Sequence, residues 1–247
     1  AFAALKVYGV CVLSAVTAQN TMAVNAMECL SPDLVSAQLQ ALYDDFEIGA
    51  VKIGLLGSAA NTKAVARFIS GKIPNIPLVV DPVMVSTSGH TFLAEDAIEA
   101  LTELMGLATL ITPNLPEAKV IAKQDIGQND DERLEAARII LDKTGAKHVL
   151  IKGGHGHDHE AKDLLYGSGQ ERWFVSERIA TPNTHGTGCT LSSAICANLA
   201  SGLSLSESVE KAKEYVTQAL RHSISLGHGP GPLNHFFRFY NYEPKSS

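Results

Sequence analysis

Short apolar runs rich in β-forming residues alternate with amphipathic segments along most of the chain. The runs that predict strands are Val10–Val16, Val51–Leu56, Leu78–Asp81, Ala108–Thr112 and His148–Ile151. Their apolar residues are largely continuous, which is typical of strands buried on both faces of a parallel sheet. We therefore expect an α/β fold with a central, mostly parallel sheet and helices on both faces.

Helices are predicted where apolar residues recur every three or four positions between and after these runs. They run from Ser31-Pro32 to Leu42, near Thr62 to Ser70, from Ala94 to Met105, Leu115 to Lys123, Asp130 to Lys143, after Gly186 up to Leu199, and Ser204 to Leu220. Ser204 and Glu207 have the spacing of a capping box. With 247 residues, of which 45% are apolar, we expect a single domain over residues 1–247.

Glycines and small hydroxyl residues stand where the helix after Gly186 begins, in the sequence Thr184-His185-Gly186-Thr187-Gly188-Cys189. The first amides of a helix have no partner within it, and glycine lets a phosphate approach them closely. Gly186 to Cys189 is called the anion turn below. An ordinary glycine loop is the structural alternative. Neither G-x-G-x-x-G nor G-x-x-x-x-G-K-S/T occurs, which disfavours a dinucleotide-binding fold and a P-loop enzyme.

Cys189 lies in the first turn of that helix, where the amide field favours a thiolate. We expect the pKa of this thiol to be lowered, so that Cys189 is a candidate nucleophile or general base. A buried cysteine without a chemical role is the alternative interpretation.

Polar residues follow each predicted strand. These clusters are Gln19-Asn20, Gly57-Ser58, Asp81-Pro82, Asn114 with Glu117, and Lys152-Gly153-Gly154. Because ligands bind at the carboxyl ends of the strands in open α/β sheets, all five clusters are expected at one sheet edge with the anion turn. An acid, an amide-plus-acid pair, a lysine and a helix start together suit a nucleotide polyphosphate with Mg²⁺. The predicted reaction class is phosphoryl transfer.

Charge and cysteine content exclude several other classes of protein. The net charge of −6 without a basic block argues against a nucleic-acid surface. No apolar stretch reaches membrane-spanning length, and the start lacks the order of a signal peptide. The four cysteines show no framework spacing, so reduced thiols are expected. We expect a soluble cytoplasmic protein that binds small molecules, with no nucleic-acid or membrane partner. The sequence leaves the oligomeric state open, a homodimer included.

Several motifs together resemble a known enzyme family. They are Asp81-Pro82-Val83-Met84-Val85-Ser86-Thr87-Ser88-Gly89, Thr112-Pro113-Asn114-Leu115-Pro116-Glu117, Lys152-Gly153-Gly154-His155, Asn183 to Ile195, and Thr17-Ala18-Gln19-Asn20-Thr21. From about Leu5 to Leu220 the chain closely resembles the hydroxymethylpyrimidine/phosphomethylpyrimidine kinases of thiamine biosynthesis, in the ribokinase-like superfamily. The resemblance implies two ATP-dependent steps, from hydroxymethylpyrimidine to its monophosphate and from the monophosphate to the diphosphate.

The resemblance also implies roles for individual residues. Gln19 would read the aminopyrimidine edge, since an amide donates and accepts at once. Val83 and Leu55 would line the pyrimidine pocket. Asn114 and Glu117 match an N-x-x-E magnesium motif, although that spacing is also ordinary helix-start chemistry.

The remaining implied roles concern the phosphates and the reacting groups. Asp81 would act on the metal through water, and Lys152 would neutralise the charge of the transferring phosphate. Gly153, Gly186 and Gly188 would bind the nucleotide, with Thr187 and Cys189 beside them in the anion turn. Cys189 occupies the place where sugar kinases of the superfamily carry an aspartate base, which marks the pyrimidine and vitamin kinases. Pyridoxal phosphorylation is therefore the second candidate reaction.

One departure from the family concerns the start of the chain. Members of the family begin with another strand and a G-S-D-x-S-G-G-A-G turn that closes over the substrate, whereas this sequence starts at Ala1, beyond them. An edge of the site is expected to depend on that segment. Two interpretations stay open: the sequence is part of a longer kinase, or the protein is a small-molecule binding module that has lost catalysis.

Overall fold

A central sheet with helices on both sides forms the body of the molecule. The computed structural model describes residues 1–84, 95–127, 129–154 and 160–239. The strands are β1 (Ala15–Gln19), β2 (Val24–Cys29), β3 (Val51–Ile53), β4 (Leu78–Val80), β5 (Leu110–Ile111), β6 (His148–Ile151), β7 (Glu160–Gly167) and β8 (Gln170–Glu177). The helices are α1 (Pro32–Asp45), α2 (Ala59–Lys72), α3 (Glu95–Met105), α4 (Leu115–Ala122), α5 (Asp130–Thr144), α6 (Thr187–Ala200) and α7 (Leu205–Arg221), with a 3₁₀ turn at Ala3–Leu5.

The central sheet has the strand order β3-β4-β5-β6-β7-β8. The pairs from β3 to β6 are parallel, and β7 and β8 continue the sheet as an antiparallel hairpin. β1 and β2 pair only with each other, as a separate antiparallel two-stranded sheet. The expected α/β class with a mostly parallel central sheet is confirmed.

Successive residues of the central strands point to opposite faces, and each face is covered by its own helices. On one face, Val80, Ile111 and Val149 pack with apolar residues of α1 to α5. On the other, Val79, Leu110 and Leu150 pack against α6 and α7. Helices on both faces are therefore confirmed, and α6, which carries the anion turn, has the sheet on one side and α7 beside it.

Most helices begin at a capping residue of the expected kind. Ser31, Ser58, Asn114, Asn129 and Ser204 each accept a hydrogen bond from the backbone three residues on. The α2 helix is longer than the predicted 62–70 segment because Ser58 caps it four residues earlier. Within the described residues, no helix combines the length and apolarity needed to cross a membrane.

The prediction that Val10–Val16 forms a strand of the central sheet is wrong. Residues 7–13 have no regular structure, and the strand in this region, β1, begins at Ala15 and pairs antiparallel with β2. The Asn20 side chain accepts from the amides of Met22 and Ala23 at 2.8 and 2.9 Å, which closes a hairpin turn. A continuous apolar run does not determine which strand it pairs with, whereas the Asn20 turn pairs β1 with the strand that follows it.

The β7–β8 hairpin was not predicted, although the sequence contains its signal. Ser168 and Gly169 occupy its two-residue turn, with φ of 52° and 72°. Positive φ at both positions matches the right-handed twist of the flanking strands. The Gly167-Ser168-Gly169 segment between two β-rich runs therefore indicates the hairpin that lengthens the sheet beyond β6.

Candidate active site

Three of the predicted polar clusters meet at the carboxyl edge of the central sheet. Asp81 follows β4 directly, Asn114 lies three residues after the end of β5, and Lys152 follows β6 directly. The amide of Lys152 donates to the carbonyl of Pro113 at 2.9 Å, and Asn114 and Lys152 form an isolated parallel bridge. The backbone thus holds these segments side by side past the ends of the strands.

The Asp81 carboxylate is the centre of a buried hydrogen-bond network. Its Oδ1 accepts from Lys152 Nζ at 2.9 Å and from Thr112 Oγ1 at 3.2 Å, and its Oδ2 accepts from Ser192 Oγ at 3.2 Å. Burial acts to raise the pKa of Asp81, but Lys152 and Lys52 outweigh it, so the net pKa lies below its usual value. Asp81 is therefore ionised at neutral pH and directly paired with Lys152.

The anion turn meets the same network. Gly186 caps α6 with φ of +80° and no side chain caps the helix. A Cβ added at Gly188 would come 3.1 Å from Lys152 Nζ, so the ammonium lies against the first turn of α6. Ser192, one turn further along α6, bonds to Asp81 and to the carbonyls of Gly188 and Cys189. Gly186, Thr187, Gly188, Cys189, Asp81 and Lys152 are thus brought together, as the sequence predicted.

The expected lowering of the Cys189 pKa is wrong. Cys189 keeps exposed surface at the start of α6. Desolvation by the surrounding protein raises the pKa of its thiol and Asp81 adds to this, while Lys52 and Lys152 oppose it without reversing it. The sequence shows that Cys189 lies at a helix start, but it does not show that the fold brings the Asp81 carboxylate close to the thiol. The thiol is therefore protonated at neutral pH.

Asn114 and Glu117 form a reciprocal capping box at the start of α4. Glu117 N donates to Asn114 Oδ1, and Asn114 N donates to Glu117 Oε2, both at 2.8 Å. Glu117 is also buried, with 7% of its surface exposed. Burial raises its pKa to about 7, although Lys152 and the bond from Asn114 lower it. The interpretation of N-x-x-E as a helix start is thus correct for the hydrogen bonds of Asn114 and Glu117. The same arrangement gives Glu117 a buried carboxyl whose pKa lies near neutral pH.

The donor set at this edge fits a magnesium ion shared with a nucleotide. Within the described ranges, no three His, Cys, Asp or Glu side chains come close enough to hold an ion by themselves. Magnesium is commonly held by one or two carboxylates together with substrate phosphates and water. Both oxygens of Asp81 already accept hydrogen bonds. The capping box engages only Oε2 of Glu117, and the backbone of Met84 also bonds to this carboxyl. Glu117 is therefore the less heavily engaged carboxyl of the two.

The three residues expected to contact the substrate lie in different surroundings. Gln19 does not follow a central strand as predicted; it ends β1, is exposed, and its Oε1 lies 3.4 Å from Thr17 Oγ1. Leu55 and Val83 follow β3 and β4 and are half-buried. The turn after Gln19 contacts the segment that follows α7, because Thr21 Oγ1 accepts from the amides of His228 and Gly229.

Gly153 differs from its expected role in one respect. Its amide donates to Asp163 Oδ1 at 2.8 Å in a buried contact, so this amide is not available to a phosphate. Gly154, by contrast, is exposed, and no atom of the described residues lies within 4 Å of the position that a Cβ would take there. His155 and residues 85–89 of the quoted motifs lie outside the described residues.

Three site residues had no role in the sequence-based prediction. Thr112 and Ser192 bond to Asp81 from β5's end and from α6. Lys52, on β3, acts on the charges of both Asp81 and Cys189. The signal for Lys52 was a single cation inside the apolar run Val51–Leu56. Thr112 and Ser192 have no comparable local signal, because their roles depend on contacts with a residue that is distant in sequence.

Comparison with known proteins decides the family. Residues 1–234 match the family model for phosphomethylpyrimidine kinase. The chain belongs to the phosphomethylpyrimidine kinase family. The hydroxymethylpyrimidine/phosphomethylpyrimidine kinase of Rhizobium meliloti is 44% identical over 246 residues, which span 97% of this chain and 90% of that protein.

Solved structures agree with this assignment. The phosphomethylpyrimidine kinase of Clostridium difficile superimposes with a TM-score of 0.78 at 39% identity, with 89% of each chain covered. The pyridoxal kinase of Bacillus subtilis, solved as an ADP complex, gives 0.87 at 34% identity, covering 97% of this chain and 91% of that one. Membership of a kinase family implies ATP as the phosphoryl donor, and the expected family and ribokinase-like fold are confirmed.

Proposed function

We propose that this protein phosphorylates 4-amino-5-hydroxymethyl-2-methylpyrimidine with ATP and then phosphorylates the monophosphate to the diphosphate, in thiamine biosynthesis. The observation that carries the proposal is the meeting of Lys152, Asp81 and the anion turn at the sheet edge. Relatives that carry this activity in their names match nearly the whole chain. A cytoplasmic location accords with the use of ATP.

The charged groups suit phosphoryl transfer, which depends mainly on positioning and electrostatic stabilisation. Lys152, held by Asp81, presents its ammonium to a phosphate seated on the anion turn. The amides of Gly188 and Cys189 lie in the first turn of α6, where they are free of intrahelical partners. Together the ammonium and these amides stabilise the charge that develops on the transferred group.

We assign the metal-facing role to Glu117, with Asn114 fixing its orientation through the capping box. When bound, Mg²⁺ would neutralise phosphate charge. Its arrival would also favour the ionised form of Glu117, whose pKa of about 7 otherwise leaves it partly protonated.

The acceptor side of the site is assigned to Gln19, Leu55 and Val83. An amide at the tip of the β1–β2 sheet can pair with a ring nitrogen and its neighbouring amine. Half-buried Leu55 and Val83 supply apolar walls. Pyridoxal is the second candidate acceptor, because the pyridoxal kinase of Bacillus subtilis shares the fold at 34% identity.

ADP release with hydroxymethylpyrimidine, its monophosphate, pyridoxal and a sugar, measured side by side, tests the proposal. We expect turnover of both pyrimidines with a kcat/KM above that for pyridoxal. A higher kcat/KM for pyridoxal would replace the proposed function with the second candidate. Pyrimidine binding without turnover of any acceptor would favour a binding module.

Cys189→Ala is expected to affect the two steps unequally. The first acceptor is a neutral alcohol that must lose a proton, whereas the second is a phosphate already largely ionised at neutral pH. Because the pKa of the thiol is raised, only a small thiolate fraction acts at pH 7.5. We expect about tenfold slowing of the first step, below the usual range for losing a general base, and much less of the second.

The pH dependence provides the check. The wild-type first step should accelerate as pH rises towards the thiol pKa, and the Cys189→Ala first step should not. Equal slowing of both steps at every pH would make Cys189 a structural part of the anion turn instead.

A cavity of about 720 Å³ lies beside β3. Its position suits the first strand that members of the family have ahead of the segment matching Ala1. Apolar residues of α1, α2, β3 and residues 7–12 line it. Within the described chain, β3 pairs only with β4, so its other edge has no partner strand. An apolar extended segment could pair there and fill the cavity. We propose this cavity as the position of the first strand that the resemblance implies.

Fusing the strand and glycine-rich turn of a family member ahead of Ala1 tests that proposal. We expect a higher Tm and faster turnover than for residues 1–247 alone. A fusion of equal length with the apolar strand residues changed to Asp is the control and should show neither gain. Equal Tm values for the two fusions would refute the assignment.

A further inference from the structure

A buried ion pair outside the described site joins β7 to α7. Lys213 Nζ lies 2.6 Å from Asp163 Oδ2, and the two side chains are only 9% and 8% exposed. A buried pair of this kind is weak evidence for stability, because the loss of hydration offsets much of the attraction. The proposed catalytic and binding roles do not involve this pair. A role other than stabilisation would explain why a costly buried pair occurs at this position.

The other oxygen of Asp163 reaches the active-site loop. Asp163 Oδ1 accepts from the amide of Gly153 at 2.8 Å, in a buried contact. Gly153 directly follows Lys152, whose ammonium bonds to Asp81 and lies against the anion turn. One carboxylate therefore fixes the backbone next to the lysine that contacts the phosphate site.

The surroundings leave this loop little freedom once Asp163 holds it. A Cβ at Gly153 would collide with the Lys162 carbonyl and approach Arg133. Arg133 in turn donates to that same carbonyl at 3.1 Å. The backbone of β7 and the loop after β6 are thus in direct contact, and the Gly153 amide finds its acceptor in the next residue of β7.

Lys213 extends the connection to α6 and α7, the helix pair that carries the anion turn. It lies on α7, whose apolar face packs with α6 through a shared cluster that includes Val209, Ala212, Leu191 and Ile195. The α6 helix carries the anion turn at its start. The Asp163–Lys213 pair therefore ties the Lys152 loop to the helix pair that presents the turn.

We propose that Asp163, held by Lys213, is a positioning residue that sets Lys152 and the Gly153-Gly154 backbone for binding of the nucleotide phosphates. The inference rests on the proposed function in one respect: it assumes that the site binds a nucleotide. It does not depend on which acceptor is phosphorylated. Asp163 is thereby expected to affect nucleotide affinity in the folded protein, separately from any effect on the free energy of unfolding.

Two double variants separate position from stability. Asp163→Asn with Lys213→Met removes both charges but keeps an oxygen that can accept from Gly153. Asp163→Leu with Lys213→Met removes the charges and the acceptor. Both replace a buried ion pair by neutral groups of similar size, so neither leaves an uncompensated buried charge.

Fluorescent ADP binding and ATP kinetics are then measured on folded protein, with the folded fraction taken from thermal unfolding. We expect the Leu/Met double to bind ADP about tenfold more weakly, the scale of losing one buried hydrogen bond, with an unchanged KM for the acceptor. The Asn/Met double should bind ADP within about twofold of the wild type, since it restores the acceptor.

Wild-type ADP affinity in the Leu/Met double would overturn the inference, as would equal weakening in both doubles. Asp163→Ala with Lys213→Met applies the same criterion if leucine prevents folding. ADP binding needs no acceptor, so a wrong acceptor assignment leaves this test intact. A wild-type chain that binds no ADP would overturn both the inference and the proposed function.

Discussion

Lys152→Met is expected to lower kcat by about 10³-fold and to destabilise the protein by about 3 to 5 kcal/mol. The activity falls because the ammonium beside Gly188 is lost from the phosphate site. The stability falls because Asp81, with 2% of its side chain exposed, loses its directly bonded counterion and keeps its bonds from Thr112 and Ser192 and the charge of Lys52. A buried carboxylate without a counterion is costly.

The contribution of Asp81 to the pH dependence of unfolding has opposite signs in the wild type and in Lys152→Met. In the wild type the pKa of Asp81 is lowered, so its stabilising contribution is present above the unfolded-state value and is lost as pH falls through the folded-state value. Without Lys152 the desolvated carboxyl favours its protonated form, so Lys152→Met should recover stability relative to the wild type as pH falls. Thermal unfolding between pH 4 and 8 measures this.

Adding Asp81→Asn to Lys152→Met separates the two roles of the lysine. The double variant removes the uncompensated charge, so most of the lost stability should return while kcat stays low. Recovery of kcat in the double variant would show that Lys152 acts only by neutralising Asp81. Stability that does not recover would contradict the account of Asp81 as a carboxylate in need of a counterion.

The residues that end the parallel strands were predictable because the signal is local. Runs such as Leu78–Val80 are apolar on both faces, and the polar residue that follows each run must lie at the carboxyl edge of the sheet. Asp81 and Lys152 were placed correctly by this reasoning alone. The separate β1–β2 sheet was not, because its pairing depends on the Asn20 turn rather than on the apolar content of Val10–Val16.

The charge states of the site were not predictable from local sequence. The Cys189 thiol lies at a helix start, yet its pKa is raised because the surrounding protein partly desolvates it and Asp81 lies nearby. Ser192 bonds to Asp81 from 111 residues away along the chain. Such effects arise only when β4, β6 and α6 are packed together, so motif spacing identifies the groups but not their protonation.

Glu117→Gln is expected to make the ligand-free protein more stable and the enzyme less active. The pKa of Glu117 is raised from 4.5 to about 7 in the folded state, so its ionisation opposes folding. Stability is then unaffected below the unfolded-state pKa, declines as pH rises from about 4.5 to 7, and is constant above. A shift of this size corresponds to about 3 kcal/mol at pH 8, which the neutral amide avoids while still accepting from Asn114.

Activity should change in the opposite direction. A carboxylate in the metal-facing position stabilises the transferring phosphate through the ion, and losing one such group costs about 10²-fold in kcat. We expect Glu117→Gln to need more Mg²⁺ for half-maximal turnover and to have a kcat lower by that factor. Denaturant unfolding at pH 5 and 8, with Mg²⁺ titrations of ADP release, measures both effects.

Glu207→Gln is the matched control, because Glu207 has the same capping-box position at the start of α7 but is exposed to solvent. Its pKa is lowered by its bonds from Ser204, so its stabilising effect is lost as pH falls, opposite in sign to that of Glu117. The control should leave kcat and the Mg²⁺ requirement unchanged. If Glu117→Gln gains no stability between pH 5 and 8, its carboxyl is not strained by burial; if its Mg²⁺ titration matches the wild type, Glu117 does not face the metal. The combination of higher stability and lower activity distinguishes a functional buried acid from a helix cap.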